Sequence, residues 1–379
     1  MSGKPKIAVV GAGLGGTVAA TLLHKADFEV HLYEQAASFA RLGAGIHVGP
    51  NVTRVLREVG IEDELNRTGS HPDFWYSRDG VTGEICAQIP LGDYALKEYG
   101  SSYLTVHRGD FQQLLTEAVP SGILSFNKKL EKVEDLGDKV ALKFADGTTD
   151  YADLVVGADG VNSVIRSTLL GPELPKHTGY IAHRAVFNTP DIKLDVPFDM
   201  CTKWWGDDRH MMVYYVTNKR DQIYFVTGVP GGENWDLSKS WVPSSKDELR
   251  EAFAGWHPTV QALIEGSEEI TLWPLLELEP LPLWSRGRLV LLGDACHPMK
   301  PHMGQGAAMA IEDAAMLTRC LLEMGPSKHE QAFKLYEKNR APRTARVQSV
   351  SHDNTWLRTN ENPDWCFGYD VFGVPLENI

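Results

Sequence analysis

Six residues, Gly11-Ala12-Gly13-Leu14-Gly15-Gly16, follow a β-branched run, Lys6 to Val10, and lead into an Ala- and Leu-rich stretch that begins within them, Leu14 to Lys25. Glycines at this spacing let a chain turn sharply out of a strand and open a helix. The free amides and dipole of that helix attract a pyrophosphate. The alternating run Glu29 to Tyr33 comes next, so the amino terminus reads as strand, helix, strand. Glu34 closes the second strand, where a carboxylate can accept both ribose hydroxyls of an adenosine. A bound dinucleotide outweighs the alternative, a solvated charge at a strand end.

Composition removes several other classes. The 379 residues carry 37 Lys and Arg against 50 Asp and Glu, a net charge of −13, which repels polyanions and excludes nucleic acid as a partner. Apolar runs such as Ile7 to Val10 and Leu289 to Leu292 fall far short of the roughly 20 residues of a spanning helix. The glycines also break the first run before a signal-peptide core can form. No membrane association is expected. Cys86, Cys201, Cys296, Cys320 and Cys366 are scattered and form no C-x-x-C pair, which suits a reducing cytoplasm and argues against a disulfide framework. His297 and His302 have no acidic ligand beside them and a spacing that suits no helical pair, so no metal site is expected.

Two further strand-to-helix joints accompany the first. Asp153 to Gly157 leads into Ala158-Asp159-Gly160, with Ser163 and Arg166 on a following helix. Arg288 to Leu292 leads into Gly293-Asp294-Ala295-Cys296-His297-Pro298, and Gly304-Gln305-Gly306 opens another helix. Between them, from Thr178 to about Trp273, alternating runs predict a largely antiparallel layer, and His71 to Gly100 reads as hairpins.

The three joints together resemble the single-component FAD-dependent aromatic hydroxylases, the class A flavoprotein monooxygenases, over essentially the whole chain. The resemblance implies an α/β fold: a Rossmann-like FAD-binding domain, an interleaved, largely antiparallel β-sheet substrate domain and a C-terminal helical segment. The expected divisions are 1–72, 101–177 and 277–345 for the first, 73–100 and 178–276 for the second, and 346–379 for the third. It further implies FAD held by Gly13, Gly15, Glu34, Arg108, Asp159, Asp294 and the loop to Ala307, with NADH as co-substrate. Where many members carry Asn after Gly-Gln-Gly-Ala, this chain has Ala308, so that contact to the flavin ring is not carried over.

A closer likeness lies in Arg41-Leu42-Gly43-Ala44-Gly45-Ile46-His47, in Gly69 to Trp75, in Lys203-Trp204-Trp205 and in Arg209 to Tyr215. These segments resemble decarboxylating pyridine hydroxylases of the family. They imply that NADH and dioxygen replace the ring carboxyl of 6-hydroxynicotinate by hydroxyl, giving 2,5-dihydroxypyridine. Electrophilic oxygen needs an electron-rich ring, and removing the proton of the ring hydroxyl enriches it.

His47 suits that proton transfer by its titration range. Strand alternation turns Tyr214 and Tyr215 to opposite faces, so only one looks into a given pocket, and Tyr214 is taken as the proton partner. Cys201, His210 and His302 are candidates for the pocket wall and for the small aromatic carboxylate, although a buried cysteine is more often plain packing. Arg41, Lys203, Arg209 and Lys300 could supply the positive potential that an anionic substrate needs, but ordinary solvated charge is the expectation for Lys203 and Lys300. Salicylate or another hydroxybenzoate stays open as substrate, as does an FAD-binding regulatory module without coupled hydroxylation. Monomer and homodimer both stay open.

Overall fold

The computed structural model describes residues 5–41, 43–172, 175–192, 199–236 and 239–378; Leu42, quoted above, lies outside them. The strand Lys6–Val10 sits at the centre of a six-stranded sheet, with Leu154–Gly157 and then Leu289–Leu291 on one side and Glu29–Tyr33 and Leu124–Ser125 on the other. These five run parallel, and Ser285–Arg286 adds an antiparallel edge. Ile7, Val9, Val155 and Val290 are fully buried, the continuous apolar pattern of strands covered on both faces. The helices Leu14–Lys25 and Gly306–Met324 pack together, and the first also covers Lys6–Val10 and Glu29–Tyr33.

Parallel pairing explains why the three joints meet. Gly11, Ala158 and Leu292 follow the carboxyl ends of adjacent strands, and their amides donate to Tyr33, Val10 and Gly157 carbonyls respectively. Ligands of open parallel sheets bind off those ends.

The second large sheet has eight strands, in the order Val242–Pro243, Thr271–Glu277, Lys176–Asn188, Gln222–Pro230, His210–Tyr215, Cys201–Trp205, Phe74–Asp79 and Ile85–Pro90. Neighbours are antiparallel except Cys201–Trp205 beside Phe74–Asp79. The two-residue period of a strand divides it into two faces. On one, Trp204, Met211, Val213, Tyr215 and Phe225 bury against Leu249, Phe253, Leu263 and Ile264 of two covering helices. Cys201, Lys203, Met212, Tyr214 and Tyr224 have the opposite parity and face the six-stranded half.

Two expectations change. His71 to Gly100 is not all hairpin: after Phe74–Asp79 and Ile85–Pro90 comes a helix, Gly92–Tyr99, ended by Gly100 in the left-handed region. That helix buries only Ala95, which leaves no apolar period in the sequence to announce it. The division expected at 345/346 falls inside one continuous helix, His329–Asp353, which carries Pro342 in its interior.

Candidate active site

A cleft of about 870 Å³ separates the carboxyl ends of the parallel strands from the open face of the eight-stranded sheet. Gly13 and Gly15 line it at the start of the helix Leu14–Lys25, and Gly306 and Ala307 at the start of the helix Gly306–Met324. Neither helix carries an acid in its first turn, and neither has a side-chain cap, so both positive dipole ends remain available to an anion. Arg108 lines the same stretch, as does Asp294.

The glycines there are a steric requirement. A Cβ on Gly16 would lie 1.9 Å from the Gly11 carbonyl oxygen, whereas one on Gly13 would meet no atom within 4 Å and would stand in the cleft itself. A long cleft with amide-rich ends, an arginine beside them and an acid at the third joint fits FAD.

Two of the residues expected at the cofactor are also held by their own turns. Glu34 accepts from the Ala12 amide at 3.0 Å and the Ala36 amide at 2.8 Å, bracing the glycine turn. Asp159 accepts from the Ser163 hydroxyl at 2.5 Å and from the Val164 and Ile165 amides at 2.8 and 3.2 Å, and so caps the helix Val164–Leu170. Neither carboxylate lines the cleft.

The other end is aromatic and imidazole-rich. His47 lies on Gly45–Val48, a strand paired antiparallel with Leu104–His107, and its Nδ1 meets the Tyr103 hydroxyl at 2.9 Å. Its ring centroid is 4.2 Å from that of Tyr214 and 5.4 Å from that of Trp75. Gly45 must lack a side chain, since a Cβ would come within 2.6 Å of both the Tyr214 and Tyr224 rings. Tyr214 faces the cleft and Tyr215 the covering helices. Cys201, opposite Tyr214 across the ladder, is fully buried and absent from the cleft wall; burial pushes its thiol well up, as packing does.

His210 and His302 both line the cleft, with ring centroids 5.0 Å apart and perpendicular planes. His302 Nδ1 donates to the Ser351 carbonyl at 2.8 Å, which leaves Nε2 as an acceptor, buried and unpartnered among the described residues. A neutral His302 therefore accepts at Nε2 and has no proton there for a carboxylate.

The two lysines expected in solvent are buried: Lys203 is 1% exposed and Lys300 8%. Residue type argued for solvent, but Lys203 shares strand parity with Cys201, and that parity points inward. The sequence reading also missed Tyr103, Tyr224 and Arg184; the last two line the cleft, Tyr224 directly opposite Tyr214 and Arg184 opposite Val226 on the next pair of strands.

Burial, with Lys203 adding to it, pulls His47 down to about 3. The same two causes pull His302 to about 3 and His210 well below its usual value. Unfolded histidines titrate near 6.5, so below that pH the unfolded chain binds more protons. Stability is complete above about pH 6.5 and drains as pH falls toward 3, by up to about 1.4 kcal/mol per unit for each histidine. Urea midpoints between pH 7 and 5 should fall accordingly, and His302→Gln should flatten the slope by one histidine's share. An unchanged slope in that variant would contradict the neutral imidazole.

The FAD binding domain family matches residues 4–351, and the chain belongs to it, among the flavin-dependent aromatic hydroxylases. The chain is 68% identical over 376 residues to the 6-hydroxynicotinate 3-monooxygenase of Bordetella bronchiseptica, covering 99% of this chain and 98% of that one. It is equally similar, 68% over 377 residues with the same coverage, to the enzyme of that name from Pseudomonas fluorescens. Among solved structures, a salicylate hydroxylase substrate complex superposes with a TM-score of 0.84 at 26% identity, covering 98% of this chain and 97% of that one. Among the described residues, no helix is long and apolar enough to cross a membrane, and no cluster of three metal-ligating side chains occurs.

Proposed function

We propose that this chain hydroxylates 6-hydroxynicotinate at the carbon bearing the carboxylate, using NADH and dioxygen, and releases carbon dioxide and 2,5-dihydroxypyridine. The 68% identity to two relatives of that name, across 99% of the chain, carries the reading. FAD, when bound, relays electrons from NADH and supplies electrophilic oxygen. Gly13, Gly15, Arg108, Asp294 and Ala307 hold it directly, while Glu34 and Asp159 brace the turns that touch it. The halves built on the six- and eight-stranded sheets serve cofactor and substrate respectively.

His47, neutral and 7% exposed, receives the proton of the ring hydroxyl, with the tilted ring of Tyr214 beside it as the partner in that transfer. Electron density then moves from the ring oxygen to the carbon para to it, which carries the carboxylate. One oxygen atom of dioxygen enters there and the other leaves as water. The electron pair of the broken carbon–carboxyl bond restores aromaticity as carbon dioxide departs. Five free cysteines, four of them buried, suit a cytoplasmic site for this reaction.

The test is product analysis on the purified yellow protein, with 6-hydroxynicotinate and salicylate side by side. Equal molar NADH oxidation and 2,5-dihydroxypyridine are expected from the first. Faster turnover of salicylate to catechol, or peroxide as the only product, would replace this reading.

A further inference from the structure

Lys203 has the chemistry of a binding group and no bound partner of opposite charge. Its ammonium lies 2.9 Å from Asn354 Oδ1, 3.3 Å from the His302 carbonyl oxygen and 4.0 Å from the centroid of the Trp205 ring. Among the described residues no carboxylate pairs with it. Burial pulls its ammonium well down, and Arg358, a like charge whose guanidinium also lies over Trp205 at 5.2 Å, pulls the same way. Interiors hold ammonium groups only at considerable cost unless something compensates them. The position is nevertheless well made: Lys203 is cross-strand from Met212, while Trp205 is cross-strand from His210, all on the cleft face.

The hydrogen bonds fix more than the lysine. An ammonium only donates, so Asn354 must offer it Oδ1 and therefore turns its amide nitrogen elsewhere. That nitrogen lies 3.2 Å from His210 Nδ1 and donates to it, so Nδ1 is the acceptor and the ring proton sits on Nε2. His210 is thereby held as a donor. Gly228, opposite it on the next strand, makes room for the ring, because a Cβ there would lie 2.2 Å from His210 Cε1.

We propose that Lys203 is the specificity-determining charge for the substrate carboxylate: through Asn354 it orients His210 Nε2–H toward the carboxylate, and its own charge balances the anion from behind. The inference rests on the reading above that the substrate is an aromatic carboxylate, and adds how the chain recognises that group. His302 spends its ring proton on the Ser351 carbonyl, so His210 donates and Lys203 neutralises.

The experiment measures dissociation constants on the FAD-loaded protein from perturbation of the flavin spectrum. Three ligands are compared: 6-hydroxynicotinate, its neutral amide 6-hydroxynicotinamide, and 2-hydroxypyridine, which lacks the group altogether. In the unaltered protein the carboxylate should bind about 100-fold more tightly than the amide. Lys203→Met should remove about 100-fold from carboxylate affinity and shift 2-hydroxypyridine less than threefold, whereas Lys203→Arg should recover most of the loss. Equal weakening of all three ligands would make Lys203 a structural residue and overturn the proposal. Should Lys203→Met not fold, equal affinity of the unaltered protein for acid and amide overturns it alone. If 6-hydroxynicotinate does not bind at all, the substrate reading falls and takes this proposal with it. If it binds without preference for the charge, only the proposal falls.

Discussion

His47→Gln should lower turnover by about two to four orders of magnitude while the protein still purifies with its full complement of flavin. Glutamine keeps the length and the hydrogen-bonding capacity that meets the Tyr103 hydroxyl, but it has no basic nitrogen. The replacement therefore removes proton acceptance and little else. Burial sets a condition on that role, because an imidazole held near 3 accepts a proton poorly on its own. Transfer becomes favourable only where the new imidazolium stays beside the oxyanion it creates, and a low-dielectric wall of Trp75, Tyr103 and Tyr214 strengthens that pairing. Single-turnover rates measured with reduced protein, oxygen and substrate would isolate the step. Substrate dissociation constants should move by only a few-fold. Turnover within threefold of the unaltered protein would remove His47 from the chemistry.

The cofactor half was legible because its signals are local. Glycine spacing, β-branched runs and helix starts lie within a few residues of one another, and parallel pairing then brings Gly11, Ala158 and Leu292 to one edge without further information. Alternation along a single strand set Tyr214 and Tyr215 on opposite faces, but which of them turns to the cleft is decided by the helices that cover the other face. The amide contacts of Glu34 and Asp159 were less legible, because an acid at a strand end gives no local sign that it also braces its own turn. Lys203 was misread through the habit of assigning lysine to solvent. The parity it shares with Cys201 was in the sequence, but Asn354, which completes its setting, lies 151 positions away and carries no local sign of the meeting. The helix through 345/346 was hidden by Pro342, which usually marks a break; here the long helix continues past it.

Arg340→Met should destabilise the chain by at least about 3 kcal/mol, the largest loss expected from any single replacement of similar volume. Arg340, Glu312 and Asp313 are all fully buried. Arg340 bridges the two acids at 2.6 and 2.7 Å, Arg343 holds Glu312 from the other side at 2.7 Å, and Asn51 donates to Glu312 at 2.7 Å. Burial alone would raise Glu312, and the two arginines overcome it and hold the carboxylate ionised. Methionine fills the space but leaves Asp313, among the described residues, with His297 at 2.5 Å and the Gly293 amide at 3.1 Å. Those two contacts reach the loop that presents Asp294 to the cleft, so flavin retention should fall together with stability. Arg343→Met leaves Glu312 one full arginine and should cost about half as much. Urea titrations of both variants, with flavin release followed in the same samples, test the ranking. A loss below about 1 kcal/mol for Arg340→Met would mean that the acids relax by taking up protons or water, and that the buried cluster does not hold the third joint in place.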